Sequence, residues 1–169
     1  VDDMWYGWFQ PANSIGKVQQ WHGNAGAVIR CWAYYRRFGY GLKDMSEHAV
    51  LNANYLRYAL HREAEKAGIS DMFVDGATTR VAKHEFTLSL LPAKEKYGIS
   101  AMDVAKGLLD KGYMAPTVYF PLVVPECMMF EPTETESRDT LDEFAKEFIE
   151  VLQEDAETLH QAPVTTPVR

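Results

Sequence analysis

With 169 residues, 47% hydrophobic and 24% charged, the chain can bury one sound core and has the balance of an ordinary globular protein. A formal net charge of -7 excludes the dense Lys and Arg face that grips a phosphate backbone, so nucleic acid is not an expected partner. No apolar run reaches the ~18 residues of a membrane span and no charged-then-apolar leader is present, so the expectation is a soluble intracellular protein with no membrane partner.

The chain opens on Val1 rather than Met, which suggests a piece of a longer protein. Residues 1–21 carry Trp5, Tyr6, Trp8, Phe9 and Trp21 without a clean period. They read as an irregular aromatic arm that packs on this chain's own core, on a large domain or on a second subunit. From 22 to 67 the pattern predicts two helices. Val28, Cys31, Trp32 and Tyr35 form one apolar stripe; Gly39-Tyr40-Gly41 breaks it; Ala49, Ala53, Leu56, Leu60, Ala64 and Ala67 form the next. Asp44 and Glu47 have capping-box spacing, and Gly68 supplies a left-handed stop. Cys31 and Cys127 read as small buried hydrophobes in a reducing compartment.

Residues 68–160 read as a small α+β domain. Met72 to Val74 predicts a short strand, Asp75-Gly76 a turn, and 80–90 a longer strand in which His84, Phe86, Leu88 and Leu90 alternate with Glu85, Thr87 and Ser89. Pro92 is expected to stop it. Ser100 and Asp103 have the spacing that opens a helix, with Val104, Ala105, Leu108 and Leu109 on one face and Gly112 at its end. The apolar runs 118–124 and 127–130, interrupted by Pro121 and Pro125, read as edge strands or one broken strand. A last long helix begins near Ser137 and carries Leu141, Phe144, Phe148 and Leu152; residues 161–169 read as a departing tail. This order predicts an α+β fold, a small antiparallel sheet with helices on one face, preceded by a long helix pair.

No nucleotide-binding glycine fingerprint, Walker loop, zinc-spaced cysteine pair or nucleophile elbow occurs, so no catalytic residue is assigned. The histidines form no ligand cluster on one helix face, and no metal site is expected. His84 and Glu85, on opposite faces of the expected strand, suit a structural histidine better than a catalytic one. The acids from Glu131 to Glu136 suit a helix start better than a metal loop. Gly23-Asn24 opens the first helix and reads as a plain N-cap or as an anion site made of free N–H groups.

The segments Ser14-Ile15-Gly16-Lys17-Val18, Gly23 to Arg30, Asn52-Ala53-Asn54-Tyr55, His84-Glu85-Phe86, Ala115-Pro116-Thr117 and Glu131 to Ser137 occur in one collinear order. They resemble the C-terminal part of the glycine cleavage system P-protein family, which is the glycine dehydrogenase (decarboxylating) family. The resemblance implies the small domain and interdomain helices of the aspartate-aminotransferase fold type. It implies pyridoxal 5'-phosphate as cofactor of the complete enzyme, which decarboxylates glycine and passes the aminomethyl group to the lipoyl arm of H-protein. It also implies a partner large domain or subunit in an oligomer, and a cytoplasmic protein, or a mitochondrial-matrix one in a eukaryote. His22, Gly23 and Asn24 are then expected near the cofactor phosphate; Arg80, His84 and Thr117 are expected on the small-domain side of the substrate cleft. No lysine follows a histidine here, so the family's Schiff-base lysine is not matched and the chain alone is expected to be inactive. Alternatives are the small domain of another fold-type-I aminotransferase or decarboxylase, and a non-catalytic binding module derived from one.

Overall fold

The computed structural model describes residues 9–16, 23–76 and 81–165, which fall into two compact units, one up to Leu42 and one from Lys43 onward. Of the expected aromatic arm, Phe9 is exposed, while Trp5, Tyr6, Trp8 and Trp21 lie outside the described residues.

In the first unit, helix α1 spans Ala25–Phe38 and a 3-10 turn follows at Gly39–Gly41. The expected stripe is present but uncovered: α1 buries no residue, and Trp32 is 63% exposed. Cys31 is therefore exposed rather than buried, because nothing among the described residues covers its face. Cys127 is buried as expected, its Sγ donating to Phe120 O at 3.0 Å, and burial pushes its thiol pKa up.

Helix α2 runs from Leu42 to Ala67, about 39 Å at 1.5 Å per residue. It starts two residues ahead of Asp44, which lies inside the first turn and is not the cap. The chain enters α2 directly from the 3-10 turn, so no separate capping box is needed there. At the other end Gly68 is left-handed (φ +72°), and Ile69 N returns to Ala64 O at 3.0 Å. Of the predicted stripe, Ala53, Leu56, Leu60 and Ala64 are buried and Ala49 and Ala67 half-buried, and Ala59 joins the buried face.

Strands β1 (Val74–Asp75), β2 (Phe86–Ser89), β3 (Thr117–Val118) and β4 (Cys127–Phe130) form one antiparallel sheet in the order β1-β2-β4-β3. The α+β class and the small antiparallel sheet stand as expected; three details do not. Residues 81–85 are loop rather than strand, because the Asn54 amide takes both Ala82 backbone groups, donating to Ala82 O at 2.8 Å and accepting from Ala82 N at 2.9 Å. Strand β4 is internal, not an edge: Pro121 and Pro125 sit in the turn that precedes it, where they interrupt no ladder bond. Helix α3 (Leu91–Tyr97) carries Pro92 within its first turn, a position proline suits, and the left-handed Gly98 closes it.

Helix α4 (Ala101–Asp110) opens on the predicted Ser100/Asp103 capping box, with both reciprocal bonds made. Helix α5 (Arg138–Gln153) opens on Ser137, which accepts from Thr140 N at 3.1 Å. Helix α6 (Ala156–Gln161) is capped by Asp155. Of the tail expected at 161–169, the described residues stay on the domain as far as Thr165, where the Asp110 carboxylate accepts from the backbone N–H of Val164 and of Thr165 at 2.7–2.9 Å; residues 166–169 lie outside the described residues. Phe86, Leu88, Met128 and Phe130 point from one sheet face into the core, where they meet Leu60, Val104, Leu141 and Phe148.

A polar network ties α2 to α5. The Asp142 carboxylate accepts from Tyr55 Oη at 2.8 and 2.9 Å and from Arg62 Nη2 at 2.8 Å, while Arg138 Nε donates to Tyr55 Oη at 2.9 Å. The Arg62 hydrogen bond, opposed by burial and aided by Tyr55, holds the Asp142 carboxyl below its ordinary value. A folded-state pKa below the unfolded one (about 3.9) adds stability above that value, and this is lost as pH falls through the folded pKa. Urea midpoints followed from pH 6 down to pH ~2.5 should therefore fall more for the parent chain than for Asp142→Asn, and equal slopes would remove Asp142 from the acid response.

Candidate functional site

The register Phe86↔Phe130 between β2 and β4 decides the chemistry at one end of the sheet. It brings Glu85, just before β2, close to Glu131, just after β4, while the Phe86 and Phe130 rings stack beneath them at 5.0 Å and 7°. Two like charges so placed repel across strands. His84 stands between them, its Nε2 3.6 Å from Glu131 Oε1 and 3.9 Å from Glu85 Oε2. The expected placement of His84 and Glu85 on opposite faces, one near the core, is thus corrected: both side chains are exposed, because the loop preceding β2 does not keep the strand alternation. The ligand atoms of the three residues lie within 4.8 Å of one another, an exposed cluster contributed by two segments rather than by one helix face, where the sequence alone points to none.

Glu131 also lines a groove of about 430 Å³ beside the β3 edge. Its walls are mostly apolar, with Tyr113, Met129 and Phe144, and carry the hydroxyls of Thr117, Thr133 and Thr140. Such a surface, apolar with a few polar groups, suits an organic ligand better than a bare ion. Of the expected cleft residues, Thr117 is a wall of the groove and His84 reaches it through Glu131; Arg80 lies outside the described residues. In the sequence Glu131 belongs to a helix-start acid run and to a segment of the family resemblance, and neither gives it a site role. It lies seven residues ahead of α5, whose first turn holds only Asp139 as an acid.

Two side chains not singled out as site residues hold this region from one turn of α2. Asn52 Nδ2 donates to Thr133 O at 2.8 Å and to Glu136 O at 3.0 Å, fixing the segment that forms a groove wall. Asn54 holds Ala82 as described. The signal for both was the Asn52-Ala53-Asn54 spacing, which leaves two amides flanking the buried Ala53.

The other expected site stands at the start of α1. Gly23 has φ +73°, a conformation that side-chain-bearing residues rarely adopt, and an added Cβ would meet nothing within 4 Å. Asn24 is the N-cap, its Oδ1 accepting from Ala27 N at 3.1 Å. The first turn holds no acidic residue, so its positive end is not neutralised locally. His22 lies outside the described residues.

No helix among the described residues is long and apolar enough to cross a membrane. A family model described as glycine dehydrogenase, C-terminal domain, matches residues 45–166. The chain is 47% identical over 160 residues to the probable glycine dehydrogenase (decarboxylating) subunit 2 of Methylococcus capsulatus, covering 92% of this chain and 31% of that protein. The proteins of the same name from Nitrosospira multiformis and Desulforamulus reducens are 47% and 48% identical over the same length, with 30% and 31% of their lengths covered. The chain therefore spans about a third of the length of these relatives. With a matching model over most of its length and this identity over nearly all of it, the chain belongs to the glycine dehydrogenase C-terminal domain family.

Proposed function

We propose that the chain is the C-terminal portion of a glycine dehydrogenase (decarboxylating) and forms the small-domain side of its substrate cleft. The observation that carries this reading is the 47% identity over 92% of the chain to relatives of that name. In the proposed complete enzyme, glycine is decarboxylated and the aminomethyl group passes to the lipoyl arm of H-protein. Pyridoxal 5'-phosphate, when bound, supplies the electron sink for that chemistry. The residues of this chain bind and orient. Gly23 and Asn24, with His22, form an expected phosphate contact: the first-turn N–H groups are free of intrahelical partners, the first turn itself holds no acid, and among the described residues glycine leaves the approach open. His84 and Thr117, with Arg80, form the cleft side, His84 standing 3.6 Å from Glu131, which lines the groove. No metal is part of this reading.

No His-Lys dipeptide occurs in the chain, so the cofactor-linked lysine of the proposed enzyme belongs to another part of the longer protein or to a partner subunit. The uncovered stripe Val28, Trp32 and Tyr35 on α1 supports a large domain or subunit as its cover, in an assembly placed in the cytoplasm.

The test uses the complete enzyme. His84→Gln removes the imidazole from an exposed side chain, so kcat/KM for glycine should fall about tenfold while Tm moves by less than about 2 °C. A lowered Tm with unchanged kinetics would make His84 a structural residue and take the groove out of the cleft. Purified alone, the chain should show no cofactor absorbance.

A further inference from the structure

We propose that Asn52 and Asn54 are positioning residues that set the His84–Glu131 pair beside the groove. This rests on the reading of that groove as the small-domain side of the substrate cleft. The evidence is where the two amides grip. Asn54 holds Ala82, two residues before His84, through both of its backbone groups. Asn52 holds Thr133, two residues after Glu131, and reaches Glu136 as well. The gripped residues lie 28, 81 and 84 positions away, so no local structure places them there.

Neither side chain of the pair is buried, and packing alone does not fix either one. What fixes them is the backbone on either side: the β2–β4 register from within, and the two amides from without. Asn52 and Asn54 point from one turn of a helix that is anchored by the buried Ala53 and Leu56. A rigid helix thus carries both anchors, and the spacing of the pair follows from the spacing of the amides. Exposed side chains hold a mutual geometry when the hydrogen bonds that support their backbone are complete and lose it when these are removed.

The two amides differ in how they bond, and this gives each a signature. Among the described residues Asn52 acts only as a donor, to two carbonyl oxygens, so Asn52→Asp loses both bonds and places a carboxylate against them. Asn54 donates to Ala82 O and Val50 O and accepts from Ala82 N, so Asn54→Asp keeps one of its three bonds.

The experiment measures kcat/KM for glycine and Tm in the complete, assembled enzyme. Asn52→Ala and Asn54→Ala should each lower kcat/KM about tenfold, Asn52→Asp at least as much as the alanine variant, and Asn54→Asp less than its alanine counterpart. In the His84→Gln background Asn54→Ala should lower kcat/KM no further, because the two changes act on one element. Ser100→Ala, which removes the α4 cap, should lower Tm and leave kcat/KM unchanged. If Asn52→Ala does not assemble, Asn52→Gln, which keeps the donor on a longer arm, should give an intermediate loss. If the asparagine variants behave like Ser100→Ala while His84→Gln still lowers kcat/KM, positioning is wrong and the cleft reading survives. If His84→Gln also leaves kcat/KM unchanged, the cleft reading fails and takes the positioning role with it. Additive losses in the double variant would likewise overturn the role.

Discussion

Replacing Phe148 by alanine should destabilise the chain by about 3–5 kcal/mol, the largest single effect expected in the fold. The ring is fully buried, and three others pack around it: Phe130 at 5.5 Å, Phe73 at 6.1 Å and Phe144 at 6.4 Å between centroids. Those rings come from β4, from the segment before β1 and from α5 itself, so no single element can shift to fill the space. Incomplete collapse adds a cavity penalty to the lost transfer energy, and edge-to-face contacts add a further fraction. Phe148→Leu keeps most of the volume and should cost less than half as much. The check is the urea midpoint at constant m-value; a loss below about 1 kcal/mol for the alanine variant would mean that the core closes over the gap.

The same ring was legible in the sequence as part of a helical stripe, since Leu141, Phe144, Phe148 and Leu152 repeat with the step of a helix. Helices α2, α4 and α5 were legible for that reason, and Ser100, Ser137 and Gly68 marked ends that the structure keeps. Short elements were less so. Helix α3 hid behind Pro92, read as a strand stop although proline also suits a first helical turn, and Gly98 was its overlooked end signal. The runs 118–124 and 127–130 read as edge strands or one broken strand because the prolines count against a ladder; β3 is an edge, but Cys127–Phe130 itself contains no proline and β4 is internal.

The site was legible only in pieces. His84, Thr117 and Glu131 each stood in a motif, but the register that brings Glu131 to His84 is a long-range pairing that no local period encodes. Local alternation likewise extended β2 back through His84, since it carries no trace of the Asn54 side chain that diverts residue 82. Helix and cap signals are local and survive without tertiary information; groove walls do not. The apolar stripe of α1 shows the opposite limit. Its period was read correctly and its burial was not, because a stripe specifies a covered face without specifying which protein surface covers it.

Under the proposed function, Gly23→Val in the complete enzyme should weaken cofactor retention about ten- to a hundredfold, equivalent to about 1.4–2.8 kcal/mol. Two effects act together. A β-branched residue does not tolerate φ near +73°, so the backbone entering α1 must rotate and its first N–H groups re-aim. The added side chain also occupies the side from which an anion would approach, even though it meets no protein atom within 4 Å. Asn24→Ala separates the contributions: it removes the bond from Ala27 N to Asn24 Oδ1, costs about 0.5–2 kcal/mol of helix stability, and leaves the N–H groups in place. Its effect on retention should be several-fold smaller. Gly23→Ala, with one methyl and less strain, should fall between the two. Retention is read as the cofactor concentration that restores half the absorbance after dialysis. Equal retention in all three variants, with Tm lowered in the same order, would make the start of α1 a helix cap and nothing else, and would remove Gly23 and Asn24 from the phosphate contact.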